Sequence, residues 1–179
     1  DREGNVFICP WKNEGWNGEG VLSFSGGTKV CAKFIDGRLA GEVNICFPHG
    51  GQYSGDWDGG LCGMGMFDCT CKRPEFYSML YLGNWIDNEP SDAAAELTIM
   101  DTSLGGSYEY RGGIKGWQLS GKGSIFHVEN IRKDSSKALV AEGIWQEGKR
   151  KSWRPDAKLR QIEKLFQEAL ACMRQRIEF

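Results

Sequence analysis

Seven cysteines and two histidines are the side chains with the most chemistry to offer. Cys62, Cys69 and Cys71 fall close together, with Cys46 and His49 upstream. Thiolate and imidazole ligands suit zinc, but structural zinc sites favour two cysteines separated by two to four residues, and C-x6-C-x-C has no such pair. In a strand, Cys69 and Cys71 would share a face, which keeps a zinc site as the weaker alternative. The favoured reading is free thiols buried as small hydrophobes, with no metal and no cofactor. An odd cysteine count cannot pair completely, and there is no Asn-x-Ser/Thr acceptor, so a reducing intracellular setting is expected, in the cytoplasm or on the cytoplasmic face of a membrane. His49 and His127 are far apart in the chain, and no H-E-x-x-H, G-x-S-x-G, P-loop or dinucleotide fingerprint occurs. No catalytic residue is expected.

Charge points the same way. Twenty-two basic against 24 acidic residues give a net charge of −2, which argues against a nucleic-acid partner. Lys149, Arg150 and Lys151, with Arg154 beside Trp153, form the one dense basic cluster. Near an anionic surface each such charge contributes about 1 kcal/mol, so the cluster is a candidate lipid or anion site, and equally a solvated turn. No apolar run approaches the roughly 18 residues of a membrane span.

The elements that would position these residues are legible in the glycines and aromatics. The chain has 179 residues, one domain's worth, and opens on Asp1 without an initiator Met, as a segment of a longer protein would. Hydrophobic residues at 40% and charged residues at 26% suit a folded globular domain. Glycine, at 25 residues, is roughly twice as common as usual, an excess that suggests repetition. Tyr53-Ser54-Gly55-Asp56-Trp57 and Tyr81-Leu82-Gly83-Asn84-Trp85 share the pattern Y-x-G-x-W. Weaker copies end on Trp11, Phe34, Ile114 and Trp145, giving six anchors at 11, 34, 57, 85, 114 and 145. Gly37, Gly60 and Gly148 follow three residues after their anchors, and paired glycines stand further on, as at Gly63/Gly65 and Gly121/Gly123. Large and small residues in alternation specify a strand with one buried face, and the glycine beyond it supplies a turn. Each unit therefore reads as a β-hairpin. The paired glycines are expected where an aromatic ring of a neighbouring hairpin lies flat on the backbone.

This pattern resembles the MORN (membrane occupation and recognition nexus) repeat, Y-x-G-x-W-x-x-G-x-x-x-G-x-G, over about residues 5 to 151. The Trp57 and Trp85 copies carry its most specific half; the Ile114 copy keeps Tyr110, Gly112, Gly121 and Gly123 but lacks the Trp. The resemblance implies a mainly β fold, an elongated and twisted antiparallel meander of stacked hairpins. Longer spacings place insertions near Cys69 to Ser78, Asn88 to Ala95 and Val128 to Lys137, expected as extended loops.

Beyond the last repeat the periodicity changes. After Pro155, Leu159, Ile162, Leu165, Phe166, Ala169, Leu170, Met173 and Ile177 recur at three and four, an amphipathic helix. The division expected is a repeat domain over 1–153 and a helix over 154–179, the helix capping the open end of the sheet. With no chemistry to carry, the sequence reads as a non-catalytic interaction module. Its aromatic-lined groove would grip a helical or extended segment of a protein partner in a cytoskeletal, division or membrane-associated assembly. Tyr53, Tyr81, Tyr108, Tyr110, Trp117 and Arg132 are the groove candidates, because aromatics and Arg dominate interface energetics. Trp57 and Trp85, at the best anchors, are expected to be structural. An anionic-membrane module using the basic cluster, or a regulatory appendage of an enzyme, are the alternatives.

Overall fold

The fold comes from a computed structural model that describes residues 2–73, 76–101, 105–129, 136–151 and 157–177. The strands, in chain order, are β1 (Val6–Ile8), β2 (Trp11–Lys12), β3 (Gly15–Trp16), β4 (Gly18–Ser23), β5 (Lys29–Ile35), β6 (Arg38–Cys46), β7 (Gln52–Trp57), β8 (Leu61–Arg73), β9 (Phe76–Ile86), β10 (Glu89–Asp101), β11 (Gly106–Lys115), β12 (Gln118–Glu129), β13 (Ser136–Gln146) and β14 (Lys149–Arg150). A single helix, α1 (Ala157–Arg176), follows among the described residues. All strands but β2 and β3 form one antiparallel meander in sequence order, and β2 and β3 make a small hairpin of their own.

Two-residue turns build the meander. Asp36-Gly37, Asp87-Asn88, Gly116-Trp117 and Glu147-Gly148 all have φ between 48° and 77°, the left-handed pair that a tight hairpin of this twist requires. Asp, Asn and Gly accept that conformation cheaply. Trp117, at φ 68°, does not, and it is held there by packing on Trp85, with ring centroids 6.2 Å apart.

The pairing register explains the glycines. Gly20, Ala32, Val43, Gly55, Gly65 and Gly83 stand opposite one another across β4 to β9. Ala95, Gly112, Gly123 and Gly143 continue the row across β10 to β13. Only Val43 interrupts this lane of small residues with a larger one. The tyrosines lie over it. A Cβ on Gly65 would come within 2.3 Å of the Tyr53 ring, and one on Gly123 within 2.5 Å of the Tyr110 hydroxyl. Each ring covers glycines of its own hairpin, not of a neighbour's as the sequence suggested. The ring is fixed at its far end, because the Tyr53, Tyr81 and Tyr110 hydroxyls donate to the carbonyls of Asp56, Asn84 and Gly113 at 2.9, 2.9 and 3.0 Å. The anchor tryptophans join neighbours: Trp85 packs edge-on against Tyr53 at 5.5 Å, and its indole N–H donates to the Gly65 carbonyl at 3.4 Å.

Three expectations change. Trp11 is not a meander anchor; it pairs with Trp16 in the β2–β3 hairpin and is 65% exposed. Residues 88–95 do not form a loop, because the extra length is absorbed as an irregularity within β10, where the Asp92 carboxylate accepts the backbone N–H groups of Asn84 and Ala94. Residues 69–73 and 76–78 likewise lengthen β8 and β9, while 74–75 and 130–135 lie outside the described residues.

The helix keeps its expected face and changes its expected place. Leu159, Ile162, Leu165, Phe166, Ala169, Leu170, Cys172 and Met173 are buried. They enter the same core as the sheet's inner face rather than capping its last edge. Phe166 packs against Tyr110 at 6.0 Å, and α1 contacts β10 and β12. The Arg176 guanidinium donates to the His49 and Gly50 carbonyls between β6 and β7. The physical reason is area: a strand edge offers a row of backbone groups, whereas the inner face offers an apolar strip as long as the helix.

Candidate functional site

The position of α1 decides which part of the inner face stays open. On the inner face, Tyr53, Tyr81, Tyr108 and Tyr110 are 0–1% exposed and Trp117 is 9% exposed; Tyr110 and Tyr108 lie against α1, and Tyr53, Tyr81 and Trp117 pack on Trp85. These five groove candidates are therefore core residues, which corrects their assignment to a partner. The same strand alternation that lines a groove also fills it once the chain's own helix lies in it. Arg132, the sixth, lies outside the described residues. Burial pushes the Tyr53, Tyr81 and Tyr110 phenols well above their ordinary value; Cys62, Asp56 and Glu42 add to it at Tyr53, and Asp92 and Tyr53 at Tyr81.

The open part lies toward the N-terminal end of the sheet. A groove of about 470 Å³ is lined by Leu22, Val30, Phe34, Leu39 and Trp57, with Arg38 and Asp58 at its rim. Hairpin alternation positions each wall. Leu22 pairs with Val30 across β4 and β5, Phe34 with Leu39 across β5 and β6, and Trp57 closes β7. Val30 is buried at its floor, while Leu22, Phe34, Leu39 and Trp57 are only part-buried. Trp57 is thus a groove wall, unlike Trp85, which is 1% exposed. Beyond the groove the aromatics continue: Phe34 meets Phe7 at 5.1 Å, Phe7 meets Trp16 at 4.8 Å, and Trp16 meets Trp11 at 6.2 Å. Sequence reasoning misses this surface because Phe34 and Trp11 stand at weaker copies of the motif. The available signal was the absence of a Tyr at these copies, which leaves the N-terminal strands without the ring that fills the space elsewhere.

The other candidates separate in space. Arg150 is committed to the fold, its Nε donating to Glu163 at 2.8 Å with both side chains largely covered, so it ties α1 to β14. Lys149 and Lys151 are exposed and Arg154 lies outside the described residues, so the basic cluster loses its central charge to structure. Cys69 is buried near Phe67 and Met79, whereas Cys62 is part-exposed seven residues back along the same strand, roughly 23 Å away at 3.3 Å per residue. One zinc ion cannot take both. The Cys71 side chain is outside the described set, and among the described residues no group of three His, Cys, Asp or Glu is placed to hold a metal. Burial first, then Asp56 and Asp58, raise the Cys62 thiol, so it is no activated nucleophile. At Asp92 burial acts to raise the pKa, but the donors from Ala94, Asn84 and Ala93 outweigh it and hold the carboxyl below its ordinary value.

No protein-family model matches this chain, and no curated protein matches it either. No described helix is long and apolar enough to cross a membrane.

Proposed function

We propose that this chain is a non-catalytic interaction module of the MORN-repeat kind, which binds an apolar segment of a protein partner along the open N-terminal stretch of its inner face. The observation that carries this reading is the groove between Phe34, Leu39 and Trp57, continuous with the face on which α1 already lies. The chain's own helix exemplifies the recognition mode, an amphipathic helix laying its apolar residues into an aromatic-floored groove. A partner helix or extended segment of the same chemistry would use the part that α1 leaves uncovered. Phe34 and Trp57 would act as the anchors, since large, partly exposed aromatics in concave surroundings carry most of the binding energy in such interfaces. Arg38 and Asp58 at the rim would set orientation more than affinity. An anionic-membrane role has less support, because Arg150 is bound to Glu163.

The test compares the wild-type chain with Leu39→Glu, which places a charge in the groove at a part-buried position. Both are immobilised at matched melting temperature, and captured proteins are identified. A partner held by the wild type and lost with Leu39→Glu supports the reading; identical captured sets for the two proteins overturn it.

A further inference from the structure

The inner groove does not account for the other side of the sheet. Over 64–70, 79–86 and 95–100, β8 to β10 alternate between buried and more exposed residues, and an outer face of that kind ordinarily carries polar side chains throughout. Here Asp68, Asn84 and Glu96 share that face with large apolar groups. Met64 and Met66 on β8, Leu80 and Leu82 on β9, and Met100 on β10 are 51%, 41%, 41%, 42% and 38% exposed. Met66 stands directly opposite Leu82, and Leu80 is opposite Asp68 on one side and Thr98 on the other. Five large apolar groups on three adjacent strands form a contiguous patch of the sort that marks an interaction site rather than scattered surface residues.

The segment that builds this patch is predominantly acidic. Residues 52–101 hold nine Asp or Glu against two basic residues, Lys72 and Arg73 at the far end of β8. Asp68 is exposed on β8 beside the methionines, Asp56 is exposed on the adjacent β7, and Arg111 reaches in from β11 to Glu96 at 3.2 Å.

We propose that the outer face of β8 to β10 docks a basic amphipathic helix of a protein partner. Three strands at about 4.8 Å spacing give a strip roughly 10 Å wide, which matches the apolar stripe of one helix. Methionine side chains adapt their shape to such a stripe, and a surface of this composition accepts more than one sequence. The acidic border selects for Lys and Arg on the flanks of that helix and steers its approach. The same border disfavours the two other occupants of an apolar patch: anionic headgroups are repelled by it, and a second copy would set like charges against each other. This surface is separate from the inner groove and does not depend on it.

The test uses the full chain and a synthetic 14-residue amphipathic peptide of Leu and Lys, with a control in which Glu replaces each Lys. Calorimetry should show binding of the Lys peptide only, weakening as salt is added. The double substitution Met66→Ser/Leu82→Ser should weaken it at least tenfold by removing apolar contact. A second variant, Asp56→Asn/Asp68→Asn, should weaken it and flatten the salt dependence while leaving the patch intact. Equal binding of both peptides, or wild-type affinity in either folded variant, overturns the proposal. So does sedimentation showing a dimer that Met66→Ser/Leu82→Ser abolishes, or flotation with phosphatidylserine vesicles that the same variant abolishes.

Discussion

Replacing Phe166 by Ala tests the central structural claim, that α1 and the sheet share one core. Phe166 is fully buried in the middle of the helix and packs on Tyr110. Tyr110 in turn packs edge-on against Trp145 at 5.2 Å, so the cavity left by the truncation is walled by rings already fixed elsewhere. The Tyr110 hydroxyl is tied to the Gly113 carbonyl, and its ring lies over Gly112 and Gly123, which leaves it no room to collapse into the space. A Phe→Ala change at a site that cannot relax costs about 3–5 kcal/mol. For a chain of this length that corresponds to a fall in melting temperature of about 6–20 °C. Urea unfolding followed by tryptophan fluorescence and by far-ultraviolet dichroism should show a lower midpoint, an unchanged slope and coincident transitions. Lys158→Ala, on the exposed side of the same helix, should stay within about 0.5 kcal/mol of wild type. A Phe166→Ala protein equally within that margin would refute the docking of α1, and the buried tyrosines would return as groove residues. Two separated transitions would refute the single core, since the helix would then melt before the sheet.

Two further outcomes follow from the same geometry. Gly65→Ala should destabilise by about 1–3 kcal/mol, because its Cβ would overlap the Tyr53 ring, whereas Gly26→Ala, with nothing within 4 Å, should be near neutral; equal melting temperatures would show that the ring does not rest on the backbone. Burial raises the folded-state pKa of Tyr53, Tyr81 and Tyr110, so the unfolded chain loses its phenolic protons first as pH rises. Their contribution is fully present below about pH 10, the unfolded value, and is lost above it. The urea midpoint should therefore fall between pH 9 and 11, while absorbance at 295 nm in the native state shows these phenols still protonated; native titration of all tyrosines at the ordinary value would contradict it.

The fold class was legible because it is encoded locally and repeatedly. The Y-x-G-x-W copies, the glycine pairs and the turn residues specify hairpins within about 25 residues each, and stacking them in sequence order leaves one antiparallel meander. The helix was equally legible, since its apolar spacing lies within a single segment, and the residues that spacing selects, from Leu159 to Met173, are those that bury. Free-energy terms of short sequence range can be read from short stretches of sequence.

What only tertiary structure decided is where the two parts meet. Periodicity states that Leu159, Ile162 and Phe166 share a face and that Tyr53, Tyr81 and Tyr110 share another, but not that the two faces cover each other. That contact, with the packing of Tyr53, Tyr81 and Trp117 on Trp85, turned the groove candidates into core and moved the open surface to Phe34 and Leu39, at a weak copy, and to Trp57, at a strong one. Arg150 shows the same for charge. Next to Lys149 and Lys151 it reads as part of a basic patch, and only the packing of α1 brings Glu163 to within 2.8 Å and takes it out of the surface field. The physical reason is that a strand pattern has two faces and an amphipathic helix one, and which of them end up covered depends on total buried area over the whole chain, a quantity no local pattern contains.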